Sequence, residues 1–445
     1  MKKVVLLLFV YCNIALAVSD DKVVSEGDLS FLRCLTKAVL DSSTINPNQY
    51  VAKDFGYNNT GGKLILPGGR ACYPSFWIRD YAMSLNTGMI DTIAQKHMLM
   101  LVAKTQCNQT WISEEGAMIP MGAIADHIRV DNSLPIYYPG TYDYEKQGNS
   151  VWGKFPPYCD QFFFIHMAYY FVHKTNNMSI LYQKINGIQL INRLELAFKV
   201  PPVSLGSDLV YATEDLRGVD FGFRDCVTFT GKLCMPSILK YKAAIEMSEI
   251  FNLLGMTDKQ IEYSRIANSI KKELPKTFQN SRGLLRASTG LSSQADVWST
   301  ALAIYYGMLE QEDLKKAAEA LTTAYHEGTL AYQGNVRHIL TSDDYNENTA
   351  WERTSIVKNI YQNGAYWGTA TGWVCYAIAL VDRKTARCLV QDYVSGLKKS
   401  DARKGIGGGP YECLHPSGYV QNPLYLTTVA CPFSVFIEMY NEVYK

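Results

Sequence analysis

Residues 236–278 read PSILKYKAAIEMSEIFNLLGMTDKQIEYSRIANSIKKELPKTF and predict two helices, Pro236 to Leu254 and Asp258 to Phe278, on either side of a short turn. In each helix, apolar residues recur at steps of three and four, which is the period of a helix with one buried face. Near one face of the first helix lie Ile245, Ile250, Leu253 and Leu254. The stretch therefore predicts a helical hairpin.

The same periodicity recurs along most of the chain. Further helices are predicted over Phe76 to Thr105, Gln161 to His173, Ile180 to Lys199, Ser293 to Gln311, Glu312 to His326, Ala365 to Val381, Lys384 to Leu397 and Leu424 to Tyr444. Strand-like alternation is sparse. The sequence indicates an all-α fold.

Long aromatic and glycine-rich loops separate the helix pairs. They are Met118 to Pro157, Gly206 to Pro236, Tyr332 to Gly364 and Gly405 to Pro423. Long loops inside a compact domain are uncommon and tend to carry function. Their recurrence between helix pairs predicts a toroid of helical hairpins, with the loops forming a cleft at one end.

The first residues have the pattern of a secretory leader. Lys2 and Lys3 precede an apolar run, Val4 to Val10, and Ala15-Leu16-Ala17 is a small-x-small cleavage site. We therefore expect a signal peptide over residues 1–17 and a secreted protein without stable membrane insertion. No linker interrupts the rest, so residues 18–445 are predicted to form one domain.

Cysteine usage agrees with that compartment. Removal of the leader, which contains Cys12, leaves an even number of the 11 cysteines. An even set in an exported chain predicts disulfides, with Cys226 and Cys234 as the best local pair because Gly231 can turn the chain between them. Buried free thiols are the alternative. Three N-glycosylation tripeptides begin at Asn58, Asn108 and Asn177.

Composition narrows the classes of function. The net charge of +1, without a block of basic residues, excludes general attraction to nucleic acid. The sequence contains no zinc-protease, Cys-x-x-Cys, nucleophile-elbow or phosphate-loop motif, so no metal or organic cofactor is expected. Aromatic residues make up 12% of the chain. Aromatic rings stack on the C–H faces of sugars, although large cores are also aromatic.

Two clusters combine carboxylates with aromatic and cationic groups. In Trp77-Ile78-Arg79-Asp80, Asp80 can accept from sugar hydroxyls, Arg79 can donate and Trp77 can stack. The alternative is an aspartate in the first turn of a helix beside a core tryptophan. The second cluster, residues 218–225, carries Asp220 and Asp225 among apolar neighbours.

A carboxyl in such surroundings has the raised pKa that a general acid needs. For the second cluster, an ordinary surface loop with an ion pair between Arg224 and Asp225 is the alternative.

Two further clusters lie toward the carboxyl end. Residues 361–373 combine amides and aromatic rings suited to a neutral polyol; those that we assign to substrate are Gln362, Asn363, Tyr366 and Trp367. Residues 405–416 place Glu412 between Pro410 and Pro416, which disfavours regular helix there. Glu412 is therefore either a rim residue or a catalytic base.

These clusters, in this order, resemble the six-hairpin glycosidases, which have an (α/α)6 barrel and include trehalases, glucoamylases and rhamnosidases. The general-acid loop of trehalases reads Gly-Trp-Asp-Phe-Ser-Ser-Arg, and residues 218–224 are similar, with Val219 and Gly222 as departures. The trehalase element Pro-Asn-Gly-Trp is similar to the region from Asn363-Gly364 to Gly372-Trp373. The resemblance covers most of the mature chain.

The resemblance implies an inverting, exo-acting hydrolase. Asp220 would protonate the leaving oxygen, with Asp225 and Glu214 as alternatives, and Glu412 would activate water. Such carboxylates stand roughly 6.5–9.5 Å apart. The residues that would hold the sugar are Trp77, Arg79, Asp80, Arg224, Gln362, Asn363, Tyr366 and Trp367.

Two other classes of function stay open. One is a carbohydrate lyase on a similar toroid, which would need a tyrosine or histidine base and a means of neutralising a uronate. The other is a non-catalytic sugar-binding descendant. A wide separation of Asp220 and Glu412 would favour the latter.

Overall fold

The computed structural model of the protein describes residues 22–68, 72–149, 151–215, 217 and 223–442. Its α-helices are α1 (Glu26–Ser43), α2 (Ile78–Ser84), α3 (Thr92–Thr105), α4 (Tyr158–Thr175), α5 (Leu190–Lys199), α6 (Cys234–Leu253), α7 (Thr257–Phe278), α8 (Val297–Tyr305), α9 (Gln311–His326), α10 (Thr371–Ala379), α11 (Arg383–Lys399) and α12 (Leu426–Glu442). Short 3-10 turns lie at Leu85–Thr87, Met178–Tyr182, Thr341–Asp343 and Ala402–Lys404.

The strands are short and lie in the loops. They are β1 (Thr44–Ile45), β2 (Tyr50–Ala52), β3 (Gly56–Tyr57), β4 (Leu64–Ile65), β5 (Ser75–Trp77), β6 (Trp111–Ile112), β7 (Met118–Ile119), β8 (His127–Arg129), β9 (Pro135–Ile136), β10 (Lys184–Ile185), β11 (Ile188–Gln189), β12 (Tyr211–Ala212), β13 (Gly231–Lys232), β14 (Ala331–Tyr332), β15 (Asn335–Val336), β16 (Tyr366–Trp367), β17 (Cys413–Leu414) and β18 (Val420–Gln421).

The helices form two concentric rings. The even-numbered helices contact one another in sequence, α2 with α4, α4 with α6, α6 with α8, α8 with α10 and α10 with α12, and α12 closes the ring against α2. The odd-numbered helices pack outside, for example α7 against α6, α11 against α10 and α1 against α12. The predicted toroid of helical hairpins with an (α/α)6 architecture is confirmed.

Amino-acid composition explains which helices lie in the inner ring and which lie in the outer ring. The inner helices α8 (VWSTALAIY) and α10 (TGWVCYAIA) carry no charged residue and are buried on nearly all sides. A helix that is apolar all round is stable only when it is enclosed. The outer helices α7 and α11 are amphipathic, and each buries one apolar stripe while lysines and arginines face solvent. Alternation of the two helix types produces the two layers.

The loops before the inner helices converge at one mouth of the barrel. A cavity there is lined by residues that precede or begin α2, α4, α6, α10 and α12. The amino-terminal ends of these helices therefore point toward one site. Their dipoles give that site a positive potential, which favours carboxylates and other electron-rich groups.

Two small antiparallel sheets stiffen the mouth. A five-stranded sheet has the order β14-β15-β16-β17-β18, and its β16–β17 pairing aligns Trp367 with Cys413. A three-stranded sheet has the order β5-β8-β9 and aligns Trp77 with His127. The strands are too short for an alternating pattern, which is why the sequence did not reveal them.

Two predicted helices prove to be interrupted. The prediction over Phe76 to Thr105 is wrong, because the chain is a strand through Trp77, a helix to Ser84 and a turn ending at Gly88, which has a φ of 70°. The prediction over Ile180 to Lys199 is wrong in its first half, where Asn186 and Gly187 both have positive φ and form a β-hairpin turn between β10 and β11.

The boundaries of other helices also differ from the prediction. Helix α8 begins only at Val297, because the Asp296 side chain accepts a hydrogen bond from the Trp298 amide and caps it. The segment that was predicted as helix from Ala365 first forms β16, and α10 begins at Thr371. Helix α1 was not anticipated.

The expectation of disulfides is wrong for this structure. The ten cysteines from Cys34 to Cys431 lie in the described residues, and all are free thiols. Cys226 lies 3.4 Å from the Thr354 hydroxyl, and Cys234 is buried at the start of α6. The large buried core explains why the fold needs no covalent cross-link.

The predicted signal peptide, residues 1–17, lies outside the described residues. Among the helices from residue 22 onward, none combines the length and apolar character that crossing a bilayer requires.

Candidate active site

A cavity of about 230 Å³ opens at the mouth where the inner helices begin. Six of its fourteen lining residues are aromatic, and four are charged. Its lining comprises Pro67, Tyr73, Trp77, Arg79, Asp80, Pro139, Gly140, Trp152, Phe223, Asp225, Tyr361, Glu412, Gln421 and Tyr425. A concave, aromatic pocket with a few convergent polar groups is typical of a small-molecule site.

Glu412 is the most unusual polar group of the cavity. It is 1% exposed and precedes β17, where its backbone amide donates to the carbonyls of Gln421 and Asn422. The Tyr73 hydroxyl donates to its carboxylate at 3.1 Å, and the Asn422 amide donates to Oε2 at 2.7 Å. Burial raises the pKa of Glu412 to about 8, although the hydrogen bond from Asn422 lowers it in part. The carboxyl therefore titrates near neutral pH.

The tyrosines continue the hydrogen bonding outward. The hydroxyl oxygens of Tyr73 and Tyr361 lie 3.2 Å apart. Burial raises the pKa of both phenols well above its usual range, and the nearby Glu412 carboxylate acts in the same direction. Both phenols stay neutral, so they act as hydrogen-bond groups and orient Glu412 without adding charge.

Asp80 provides the second carboxyl of the cavity. It lies in the first turn of α2, and its Oδ1 accepts from the Tyr425 hydroxyl at 2.7 Å. Burial raises its pKa to about 6, while the adjacent Arg79 guanidinium partly offsets the shift. The group is predominantly ionised at pH 7 and can accept hydrogen bonds from hydroxyls of a ligand.

Arg79 holds two carboxylates together beneath the cavity. Its Nη1 donates to Asp225 Oδ1 at 2.9 Å and its Nη2 donates to Asp126 Oδ1 at 3.1 Å. Its guanidinium also lies 5.4 Å from the centre of the Phe223 ring. The second oxygen of Asp225 accepts from Gln362 Nε2 at 2.9 Å. Both oxygens of Asp225 are thus engaged, and it serves to fix Arg79.

Behind Arg79 lies a buried layer of polar groups. His127 Nδ1 lies 2.8 Å from Asp126 Oδ2, and its ring stacks on Trp77 at 4.2 Å. Among the described residues, neither carboxyl oxygen of the fully buried Asp160 has a hydrogen-bond partner. Burial and the charge of Asp126 raise the pKa of Asp160 well above its usual range. The ionised form of Asp160 is therefore disfavoured.

Three cavity residues have a backbone conformation that side chains other than glycine rarely adopt. The φ values are 51° for Tyr73, 56° for Phe223 and 48° for Tyr361. Each such residue costs roughly 1–3 kcal/mol, and such residues cluster at functional sites. Here the left-handed conformations occur at aromatic residues that form the cavity wall.

The structure brings five of the residues that sequence analysis selected to this cavity: Trp77, Arg79, Asp80, Asp225 and Glu412. Asp220, the first choice for the acid, lies outside the described residues. Gln362 is fully buried behind the wall and supports Asp225.

Arg224 does not line the cavity. Its Nη1 donates to Asp296 Oδ2 at 2.6 Å, and its guanidinium lies 4.8 Å from the centre of the Phe229 ring. The ion pair considered between Arg224 and Asp225 is wrong, because Asp225 pairs with Arg79 instead. A buried arginine without a charged partner would destabilise the fold, so Arg79 pairs with Asp126 and Asp225 while Arg224 pairs with Asp296.

The remaining predicted substrate residues also lie outside the cavity lining. Asn363 holds the loop, since its Oδ1 accepts from the amides of Ala350 and Trp351. Tyr366 and Trp367 are buried in β16, and Trp367 stacks on Phe223 at 5.4 Å. These residues support the wall from behind.

Glu214 is a surface residue. Its carboxylate lies 3.4 Å from the Arg353 guanidinium, and the two side chains are 66% and 61% exposed. The carboxyl is solvated and paired with a cation, and it lies outside the cavity lining.

Sequence reasoning missed several cavity groups. They are Tyr73, Trp152, Tyr361, Gln421 and Tyr425, together with Asn422 and Asp126 behind them. Tyr361 begins the third cluster, and Asp126-His127 is a recognisable pair. Neither spacing nor composition shows that these residues meet, because they come from several loops that are well separated along the chain.

The part of the chain that the structure describes contains no group of three or more histidine, cysteine, aspartate or glutamate side chains arranged to hold a metal ion. Around Arg79, the carboxylates are instead neutralised by the guanidinium.

Two solved structures share this fold. A rhamnosidase from Klebsiella oxytoca with rhamnose bound matches with a TM-score of 0.56 and 11% identity over 95% of this chain, which spans 65% of the length of that enzyme. A glucoamylase from Saccharomycopsis fibuligera matches with a TM-score of 0.56 and 13% identity, over 96% of this chain and 98% of the other. No protein-family model and no curated protein matches the sequence. The resemblance to the six-hairpin glycosidases is thus confirmed at the level of fold.

Proposed function

We propose that the protein is a glycoside hydrolase that removes a terminal neutral sugar with inversion. The observation that carries this proposal is Glu412, a buried carboxyl at the cavity wall, oriented by the neutral donors Tyr73 and Asn422. No cation pairs with it among the described residues. A base with a pKa near the working pH is what general-base activation of water requires.

The other cavity groups suit a neutral sugar. The Asp80 carboxylate offers acceptors to vicinal hydroxyls, and Arg79 is positioned beside it by Asp225 and Asp126. Trp77 and Trp152 supply apolar faces for the ring. The absence of an unpaired cation on this wall, among the described residues, disfavours a uronate and therefore a lyase.

In the proposed reaction, Glu412 removes a proton from a water molecule, and the water oxygen bonds to the anomeric carbon. The glycosidic C–O bond breaks, and its electron pair stays on the leaving oxygen. Asp220 donates the proton that this oxygen takes up. The products are a sugar of inverted configuration and a free alcohol. The structural relatives, one of them a rhamnosidase with rhamnose bound, support a monosaccharide-sized site.

We further propose that residues 1–17 direct the chain into the secretory pathway and that residues 18–445 form one catalytic domain. The mass of the protein recovered from the medium of an expressing eukaryotic culture tests this point. A mature chain that begins near Val18 is expected; retention in the cytosol with residues 1–17 intact would overturn it.

The enzymatic proposal is tested by incubating the protein with a panel of aryl glycosides, disaccharides and short glycans. Proton NMR of the first product shows its anomeric configuration. Glu412→Gln and Asp220→Asn are the test variants, and Glu115→Gln, the same change on an exposed side chain, is the control.

We expect release with inversion, a loss of about 100-fold to 10,000-fold in kcat for both test variants and no change for the control. Retention of configuration, or unchanged release by Glu412→Gln, would contradict the roles assigned. A folded protein that binds a glycan on an array but releases no sugar from it would favour the sugar-binding class.

A further inference from the structure

A second large cleft, of about 550 Å³, lies at the carboxyl end of α3. One side is formed by the end of that helix and the segment leading into β6, and the other by the segment around β9. Its lining comprises Lys104, Thr105, Gln106, Cys107, Asn108, Gln109, Trp111, Asn132, Ser133, Pro135, Tyr137 and Tyr144. None of these residues belongs to the cavity of Glu412.

The cleft has an aromatic platform. The rings of Trp111 and Tyr144 are stacked with centroids 5.0 Å apart and an interplanar angle of 27°. Both side chains are half-buried, so part of each ring remains accessible. Trp111 is fixed by the β6–β7 pairing, in which it lies opposite Ile119. The platform is therefore formed before any ligand binds, which lowers the entropic cost of binding.

Unengaged amides surround this platform. The side chains of Asn108 and Gln109 are exposed and make no hydrogen bond to another described residue. The side-chain Oδ1 of Asn132 accepts from the Leu134 backbone amide at 2.9 Å. This contact orients the Asn132 side chain and leaves its NH₂ group available as a donor. Each free amide offers donors and acceptors without a charge. Flat apolar faces ringed by neutral amides suit a saccharide.

The cleft is separated from the active-site cavity by a single stretch of chain. Pro135 and Tyr137 line the cleft, and Pro139 and Gly140 line the cavity. At no more than about 3.3 Å per residue, these lining residues lie at most roughly 7–17 Å apart along this wall. That span corresponds to a few sugar units.

We propose that the Trp111–Tyr144 cleft is a second, non-catalytic binding site for a neutral saccharide. Two sources can supply this chemistry. One is a glycan chain whose end enters the cavity of Glu412, and this source rests on the proposed function. The other is an N-linked glycan on Asn108, which lies in the cleft and begins the tripeptide Asn108-Gln109-Thr110.

The three N-glycosylation tripeptides are not equivalent in the folded protein. Asn58 is fully buried, and its Nδ2 donates to the carbonyls of Ile45, Asn46 and Gly62. A sugar on that nitrogen is incompatible with this packing. Asn108 is exposed beside the aromatic platform. Asn58 is therefore expected to be unmodified whichever source fills the cleft.

Affinity gel electrophoresis tests the site with glycogen, dextran, galactomannan and arabinoxylan in the gel. The variants are Trp111→Ala, Tyr144→Ala and the exposed-residue change Gln109→Ala, which does not threaten folding. Tyr182→Ala, a tyrosine that is 50% exposed outside the cleft, is the control. The untreated wild type is compared with two forms that lack a glycan on Asn108, the Asn108→Gln variant and enzymatically deglycosylated wild type. Peptide mass spectrometry shows whether Asn108 carries a glycan in the untreated protein.

If an external saccharide is the ligand, at least one polysaccharide retards the wild type. Trp111→Ala then weakens this binding by about tenfold or more, since the loss of one stacking contact corresponds to roughly 1.4 kcal/mol. Gln109→Ala weakens it less, and Tyr182→Ala leaves it unchanged. Hydrolysis of the smallest substrate is unchanged in all four variants.

If the glycan on Asn108 is the ligand, Asn108 carries a glycan, and retardation occurs only after deglycosylation or in Asn108→Gln. Retardation that survives Trp111→Ala, or no retardation of any form together with an unmodified Asn108, would overturn the proposal. The binding proposal and the catalytic proposal fail separately. If the protein hydrolyses no substrate but its binding to a polysaccharide depends on Trp111, only the catalytic proposal is refuted.

Discussion

Glu412 should make the protein less stable at neutral pH than it is in acid. The group titrates near 4.5 in an unfolded chain and at about 8 in the folded protein. Between these values the folded state keeps a proton that the unfolded state has lost, so stability falls as pH rises. At about 1.36 kcal/mol for each tenfold change, the cost is about 3 kcal/mol at pH 7.

Glutamine at this position removes that cost. Its amide oxygen can still accept from Asn422 and its NH₂ group can donate to Tyr73, so the contacts survive without an ionisable group. Glu412→Gln is expected to be more stable than the wild type by up to about 3 kcal/mol at pH 7. The difference should shrink toward zero as pH falls to about 4.5, grow up to about pH 8 and level off at higher pH.

Guanidinium chloride unfolding of both proteins at intervals from pH 5 to pH 9 measures this difference. Glu115→Gln, which removes an exposed carboxylate, corrects for the change in net charge. A difference between Glu412→Gln and wild type that is the same at pH 5 and pH 8 would refute the reasoning. So would a variant that is less stable at every pH, since that result would mean that the glutamate contacts outweigh its burial.

The remaining predictions concern catalysis, the buried ion pairs and the thiols. With Glu412 as the base, kcat/KM of the free enzyme should rise with pH through an inflection near 8, because the base must lose its proton; a profile that instead falls through pH 8 would assign it as the acid. Arg79→Ala should destabilise the protein by about 3–5 kcal/mol in denaturant unfolding, because two buried carboxylates lose their shared cation; a loss below about 1 kcal/mol would contradict the ion-pair assignment. Thiol titration of the mature chain should give ten free cysteines after denaturation, with the exposed Cys34 and Cys388 reacting first in the native protein; fewer than ten would reveal a disulfide.

The pKa of Glu412 bears on the pH range in which the proposed hydrolase would be active. At pH 7 most of the population holds the Glu412 proton, because burial outweighs the two donors. A substrate that brings a partial positive charge to the anomeric carbon in the transition state would favour the ionised form. The same burial that costs stability therefore places the titration where a general base works best.

The sequence selected residues that line the cavity where several polar and aromatic groups are close neighbours along the chain. Trp77, Arg79 and Asp80 form a compact loop-to-helix cluster, and the structure places all three at one cavity. Glu412 was identified from its proline-flanked, glycine-rich surroundings. Arg224 was misjudged, because its partner Asp296 lies 72 residues further along the chain. No local pattern records that pairing.

The predicted helix boundaries were wrong where a turn lies inside an apolar stretch of sequence. Gly88 stops the helix that the periodicity extended to Thr105, and Asn186-Gly187 turns a hairpin inside another apparent helix. The apolar residues on either side are buried in the same core, so they keep a continuous hydrophobic pattern across the break. Burial determines that pattern, and backbone conformation is decided by the few residues at the turn.

By itself, the sequence determined the helical toroid and most of the loops that line the cavity, because periodicity and loop composition are local properties. The tertiary structure decided which side chains meet. Tyr73, Tyr361 and Asn422 come from separate loops and converge at or beside Glu412, and that enclosure gives the carboxyl its raised pKa. Desolvation depends on every atom packed around a group, so it is a property of the assembled barrel and of no single segment.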